Sequence, residues 1–128
     1  MPHLMVDYSS NLEDALDMSA FCDCLRVAAT KLDTFPDAGI RVRAVRVDHY
    51  SIADGDPKHG FIDVSVRLRG GRPLDVRQHA TEALFAAAQD FVAPYMEQHS
   101  IALSLEMRDI DPDLAPKTGS IRQHLTEA

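Results

Sequence analysis

Two periods of apolar positions run along the chain, and they divide it into strands and helices. His3 to Tyr8 is a short, mostly apolar run that reads as a strand starting almost at the terminus, and Ser9-Ser10-Asn11 is turn chemistry. From about Asp17 to Leu32, the residues Met18, Phe21, Cys22, Leu25, Ala28, Ala29 and Leu32 recur at helical spacing and make one apolar stripe. Pro36 and Gly39 punctuate the connection, and Ile40 to Tyr50, β-branched and alternating, predicts a second strand. Ala53-Asp54-Gly55-Asp56-Pro57 is a polar loop with strong turn signals.

The pattern then restarts. In Phe61 to Arg69, Ile62, Val64, Val66 and Leu68 face one way while Asp63, Ser65, Arg67 and Arg69 face the other, so a third strand is expected. After the turn at Gly70-Gly71, Pro73 is placed as a first-turn helix proline with Asp75 in the favourable N-terminal position. The second helix is expected to reach about Gln98, with Leu74, Thr81, Leu84, Phe85, Ala88, Phe91, Val92 and Tyr95 as its buried stripe and Pro94 kinking it or ending its regular part. Ile101 to Arg108 alternates again and predicts a fourth strand; beyond Asp109 the chain is irregular, with Ser120 as a cap for a last helical turn through Leu125.

Strand-helix-strand therefore occurs twice, divided near residue 55, as two βαβ halves of about 1–55 and 56–128 in a single domain. The repeat is one of architecture, since the residues of the halves are not obviously alike. The expected fold class is α+β: a two-layer sandwich with a four-stranded mixed sheet and both helices on one face. The other face is then open, and Val45, Val47 and Ala102 fall on it, so oligomerisation through that face is the natural remedy.

Composition narrows the function. The 128 residues suffice for one modest core, and 45% hydrophobic with 26% charged residues is ordinary globular usage. A net charge of −7 argues against sequence-independent binding to a phosphate backbone, so no nucleic-acid partner is expected. No apolar run approaches the roughly 20 residues that span a bilayer, and no membrane partner is expected. The first seven residues show no basic leader, so no signal peptide is expected, and the default location is the cytoplasm. Two cysteines, Cys22 and Cys24, do not make a disulfide framework; two apart on a helix they point to different sides, with Cys22 toward the core. The six histidines show no metal-ligand spacing, and Gly70-Gly71 lacks the lysine and spacing of a phosphate loop.

Charge is unevenly placed. Ten of the thirteen basic residues are arginine, and seven of those lie between Arg41 and Arg77. Arginine presents a permanently charged planar fork that matches a carboxylate, so an arginine-rich centre in an acidic chain points to a local anion site. Most of the seven are expected to solvate outer strand faces or to pair with Asp and Glu.

Pro2 directly after Met1, the run Ala38-Gly39-Ile40-Arg41 with Arg43, the triplet Ala53-Asp54-Gly55, and Gly71-Arg72-Pro73-Leu74 followed by Arg77-Gln78 form a set. Ala80, Glu82, Leu84 and Phe85 extend it along the second helix. With these residues at these separations over nearly the whole chain, the sequence resembles the 5-carboxymethyl-2-hydroxymuconate Δ-isomerase family, within the tautomerase superfamily that includes 4-oxalocrotonate tautomerase and macrophage migration inhibitory factor. The resemblance implies a trimer with sheets inside and helices outside, and no cofactor. It implies that the initiator methionine is removed and that the secondary amine of Pro2 serves as general base and acid. The implied reaction converts 5-carboxymethyl-2-hydroxymuconate to its keto isomer in the catabolism of homoprotocatechuate. Arg41 and Arg72 match positions that bind substrate carboxylates. Arg43 and Arg77 are weaker candidates, expected in structural ion pairs, and His3 is a neighbour of the base. A free α-amino group titrates at about 7.7–8.0. An apolar pocket and nearby arginines both disfavour its ammonium form, which suits it to moving a proton at neutral pH. Two alternatives stay open: a phenylpyruvate-type tautomerase, to which two carboxylate-binding arginines are less suited, and a non-enzymatic domain binding a small ligand or a partner.

Overall fold

The computed structural model describes residues 2–125. Its elements are β1 (His3–Ser9), α1 (Met18–Thr30), β2 (Arg41–Val47), β3 (Gly60–Arg69), α2 (Leu74–Met96) and β4 (Ile101–Ile110), with 3-10 turns at Ser10–Leu12, Asp37–Gly39 and Ile121–His124. The sheet order is β2-β1-β3-β4. β1 is parallel to β2 and β3 to β4, while the two central strands, β1 and β3, are antiparallel. Each parallel pair is joined by one helix, which is the crossover a parallel pair requires. The predicted α+β arrangement of a mixed four-stranded sheet under two helices is the one found.

Period-2 alternation decides which face is covered. Leu4, Val6 and Tyr8 of β1 and Ile62, Val64, Val66 and Leu68 of β3 are buried, as are Met18, Phe21, Leu25 and Ala29 of α1 and Ala80, Leu84, Ala88 and Val92 of α2. These residues form one apolar cluster between sheet and helices. Phe21 and Phe91 meet edge to face across the two helices, with centroids 5.2 Å apart. The Asp17 carboxylate caps α1 by accepting the Ala20 N–H at 3.0 Å. At the far end of β1, the Ser9 hydroxyl accepts the Phe61 N–H at 2.9 Å and donates to Asn11 at 2.7 Å, pinning the turn onto β3.

Several details depart from expectation. β2 ends at Val47, short of Tyr50, and β4 runs on to Ile110. Leu74 is 60% exposed, because Pro73 is the N-terminal cap residue and the burial stripe of α2 begins only at Ala80. The helix passes through Pro94 and ends at Met96. So close to the C-terminus the proline forfeits a single bond, to the carbonyl of exposed Asp90, and water can take its place. Cys22 is only partly buried, at the edge of the core. Ser120 precedes the last 3-10 turn but makes no side-chain capping bond.

Candidate active site

The open face is ordered by the strand register. Arg41, His3, Arg67 and Arg108 lie side by side across the four strands at the end where the described chain begins. The next row is Arg43, Met5, Ser65 and Glu106, and then Val45, Asp7, Asp63 and Ser104. Adjacent strands are about 4.8 Å apart, so each of the four basic residues of the first row lies one strand-width from the next. The strand order fixes this cluster, because the start of β1 and β2 and the end of β3 and β4 coincide.

Pro2 sits at this end. Its side chain is fully buried, in phase with Leu4 and Val6, and its carbonyl accepts the Arg41 N–H at 3.3 Å. Pro2 immediately precedes β1, a central strand, and is tied to β2 through this bond. The turn Asp37–Gly39 delivers Arg41 to the mouth of β2, where the Gly39 N–H is bonded to the Pro36 carbonyl at 2.9 Å. Among the described residues His3 Nδ1 is buried without a hydrogen-bond partner. Burial first, then Arg41, Arg67 and Arg43, hold the His3 pKa below its usual value. Burial and, after it, the same positive field that would receive an anion both disfavour the charged imidazole.

Two cavities open here. One, of about 370 Å³, is lined by His3, Arg67, Arg69 and Lys117 over an apolar rim that includes Ile110 and Pro116. The other, of about 210 Å³, is lined by Gly39, Arg41, Lys117, Ile121 and Arg122 among others. A larger cleft of about 800 Å³ between α1 and β2 is lined by Glu13, Asp14, Asp17 and Asp23 against the single cation Arg43, and its excess of carboxylates disfavours anions.

The structure brings Pro2 and Arg41 together but gives Arg72 different surroundings. The Arg72 guanidinium donates from Nη1 to the Arg69 carbonyl at 2.7 Å and from Nη2 to the Thr34 carbonyl at 2.9 Å. It lines neither cationic cavity. It ties the turn before α2 to the segment that leads from Thr34 to Arg41. Arg77 donates from Nε to the Arg72 carbonyl at 3.1 Å and completes the strap. The ion pairs expected of Arg43 and Arg77 do not form among the described residues, whereas Arg46 pairs with Asp48 at 2.9 Å. Lys117 and Arg122 were invisible as site residues in the sequence, lying in an irregular tail that showed no periodicity.

The sequence profile described as 5-carboxymethyl-2-hydroxymuconate isomerase matches residues 2–125. The chain belongs to the 5-carboxymethyl-2-hydroxymuconate isomerase family. It is 31% identical over 121 residues to the 5-carboxymethyl-2-hydroxymuconate Delta-isomerase of Escherichia coli, covering 94% of this chain and 96% of that one. A solved 5-carboxymethyl-2-hydroxymuconate delta-isomerase superposes with a TM-score of 0.90 at 31% identity, over 100% of this chain and 95% of its own. A fused 4-OT protein solved as a symmetric trimer shares the fold alone, with a TM-score of 0.66 at 15% identity over 91% of this chain and 93% of its own. Membership of the isomerase family places the chain among enzymes of the isomerase class and agrees with the resemblance read from motifs along nearly the whole chain. No helix among the described residues is long and apolar enough to cross a membrane.

Proposed function

We propose that this chain ketonises 5-carboxymethyl-2-hydroxymuconate or a closely similar enol polycarboxylate, with the Pro2 amine carrying the proton and no cofactor taking part. The observation that supports this most is the position of Pro2, buried at the head of a central strand and bonded through its carbonyl to Arg41. The chemistry requires removal of Met1, because only then does Pro2 carry a basic lone pair. The neutral amine takes the proton of the 2-hydroxyl group. The electron pair moves along the conjugated diene, the enol oxygen becomes a carbonyl, and the ammonium returns a proton to a distant carbon. Atoms and charge balance without any external reagent, and one group serves as base and then acid. Arg41 binds a substrate carboxylate beside the amine. Arg72 holds the segment that carries Arg41, and with two of its five N–H donors spent it keeps three for a carboxylate.

The active assembly is a homotrimer. The open sheet face carries a row of basic side chains at one end and Val45, 48% exposed, further along, and a free monomer gains nothing from such a face. The solved trimer of the same fold supports this reading. Sedimentation is expected to give three times the chain mass; a stable, active monomer would end the proposal. The activity itself is tested by ultraviolet absorbance on 5-carboxymethyl-2-hydroxymuconate, using protein whose N-terminal Pro2 has been verified by mass. Rapid loss of the dienol chromophore is expected. Turnover of phenylpyruvate enol in preference to the polycarboxylate would favour the monocarboxylate alternative, and binding without turnover of either would leave only a binding module.

A further inference from the structure

The segment after β4 does not leave the molecule. Asp111 turns it, its carboxylate accepting the Asp113 N–H at 2.9 Å and its carbonyl the Leu114 N–H at 3.2 Å. The segment then crosses the Pro2 end of the sheet. Pro112 and Pro116 stiffen it and line the larger cationic cavity, while Ile121 and Arg122 line the smaller one. Lys117 lines both cavities, between Arg67 and Arg69 on one side and Arg41 and Arg122 on the other.

The electrostatics of this arrangement are unbalanced. Arg108 is engaged by Glu106 at 3.5 Å. Among the described residues the side chains of Arg67, Arg69, Lys117 and Arg122 make no ion pair and no hydrogen bond. Like charges gathered without counter-charges repel one another, and an anion placed among them relieves that repulsion. Lysine suits this position as a mobile point charge on a long stem, able to reach a carboxylate in either cavity.

We infer that Lys117 is a further substrate-binding residue, which holds the carboxylate of the polycarboxylate enol that lies farthest from Pro2 and so makes the C-terminal segment the determinant of polycarboxylate over monocarboxylate specificity. The inference rests on the polycarboxylate reading above and extends it: an anion of several charges needs cations on more than one side, and Arg41 supplies only one. Arg122 sits in the second rank, reinforcing the field at the smaller cavity.

The test compares Lys117→Gln, which keeps length and removes charge, with Lys117→Arg, which keeps the charge. For 5-carboxymethyl-2-hydroxymuconate, Lys117→Gln is expected to raise KM about tenfold or more, as loss of a charge-assisted contact implies, with kcat within about twofold. Lys117→Arg restores most of the loss, and KM for phenylpyruvate enol moves less than about twofold. Calorimetric binding of tricarballylate, an inert tricarboxylate, to the unmodified protein and to Lys117→Gln supplies a readout that needs no turnover. About tenfold weaker binding is expected, with a shallower salt dependence. If the unmodified protein binds tricarballylate but ketonises nothing, the catalytic reading fails while Lys117 is still tested by the binding difference. Equal tricarballylate affinity in the two proteins, no binding by the unmodified protein, or a lowered melting temperature with unchanged affinity would each overturn the assignment.

Discussion

Replacing Arg72 by alanine separates two roles for one residue. The resemblance implies a carboxylate contact, whereas the geometry shows a guanidinium strapped to two main-chain carbonyls, 2.7 Å from that of Arg69 and 2.9 Å from that of Thr34. A hydrogen bond from a charged group contributes about 1.5–3 kcal/mol net. The Arg69 end is exposed and water replaces the guanidinium there, so that bond counts for little on deletion. The Thr34 end is part-buried, and its carbonyl is left without a donor. The expected loss of stability is therefore about 2 kcal/mol. For a domain of this size that lowers the melting temperature by roughly 6–10 °C. Differential scanning calorimetry measures it directly. Arg72→Lys is expected to melt almost as low, since an ammonium is a point charge and cannot span both carbonyls, although it keeps the charge for a substrate carboxylate. A loosened Thr34–Arg41 segment also misplaces Arg41, so KM rises in both variants and more in alanine. An Arg72→Ala protein that melts within about 1 °C of the parent would refute the strap. A large rise in KM beside that unchanged melting temperature would leave Arg72 as a carboxylate contact and nothing more.

Two further outcomes follow from packing and charge. Phe21→Ala empties a fully buried site and breaks the edge-to-face contact with Phe91, at a cost of about 3–5 kcal/mol that denaturant titration should register as a lowered midpoint. The native pKa of His3 is depressed, so the unfolded chain takes its proton first on acidification. The stability this residue contributes is complete above the unfolded value of about 6.5 and is lost as pH falls through that value toward the lower native one. Melting temperature should fall across that window, and His3→Gln should flatten the fall.

The strands and helices were legible because each buries one face, and burial writes its period into the sequence. Ile62, Val64, Val66 and Leu68 alternate in the chain and are buried in the structure, as the stripe of Met18, Phe21, Leu25 and Ala29 is on its helix. The approximate ends were less legible. Leu74 fits the α2 stripe yet is exposed, since periodicity does not tell where along a helix its neighbours begin. Of the site, Pro2 and Arg41 were indicated by the family resemblance, and the parallel pairing of β1 with β2 explains why they lie side by side. The destination of Arg72 could not. Its Thr34 partner lies 38 residues away in a loop, and nothing in the local pattern records a side chain crossing between loops. The same holds for Lys117: an aperiodic tail carries no signal of the surface it folds against.

The central claim is that the terminal secondary amine of Pro2 moves the proton, and one comparison tests it most directly. Two preparations are required, one beginning at Pro2 and one carrying an uncleavable residue ahead of it, both verified by mass and shown by calorimetry to be folded. The pH profile of kcat/KM is then measured for each on 5-carboxymethyl-2-hydroxymuconate. The free-amine protein should rise through one ionisation lying below the usual α-amino range of about 7.7–8.0, because burial and the neighbouring arginines favour the neutral form. That limb should survive replacement of His3 or His49. The blocked protein should lose nearly all activity, since the lone pair of an amide nitrogen is delocalised into the carbonyl and is not basic. A blocked protein with the same rate and the same limb would contradict the account, and the base would then have to be sought among His3, His49 and the carboxylates.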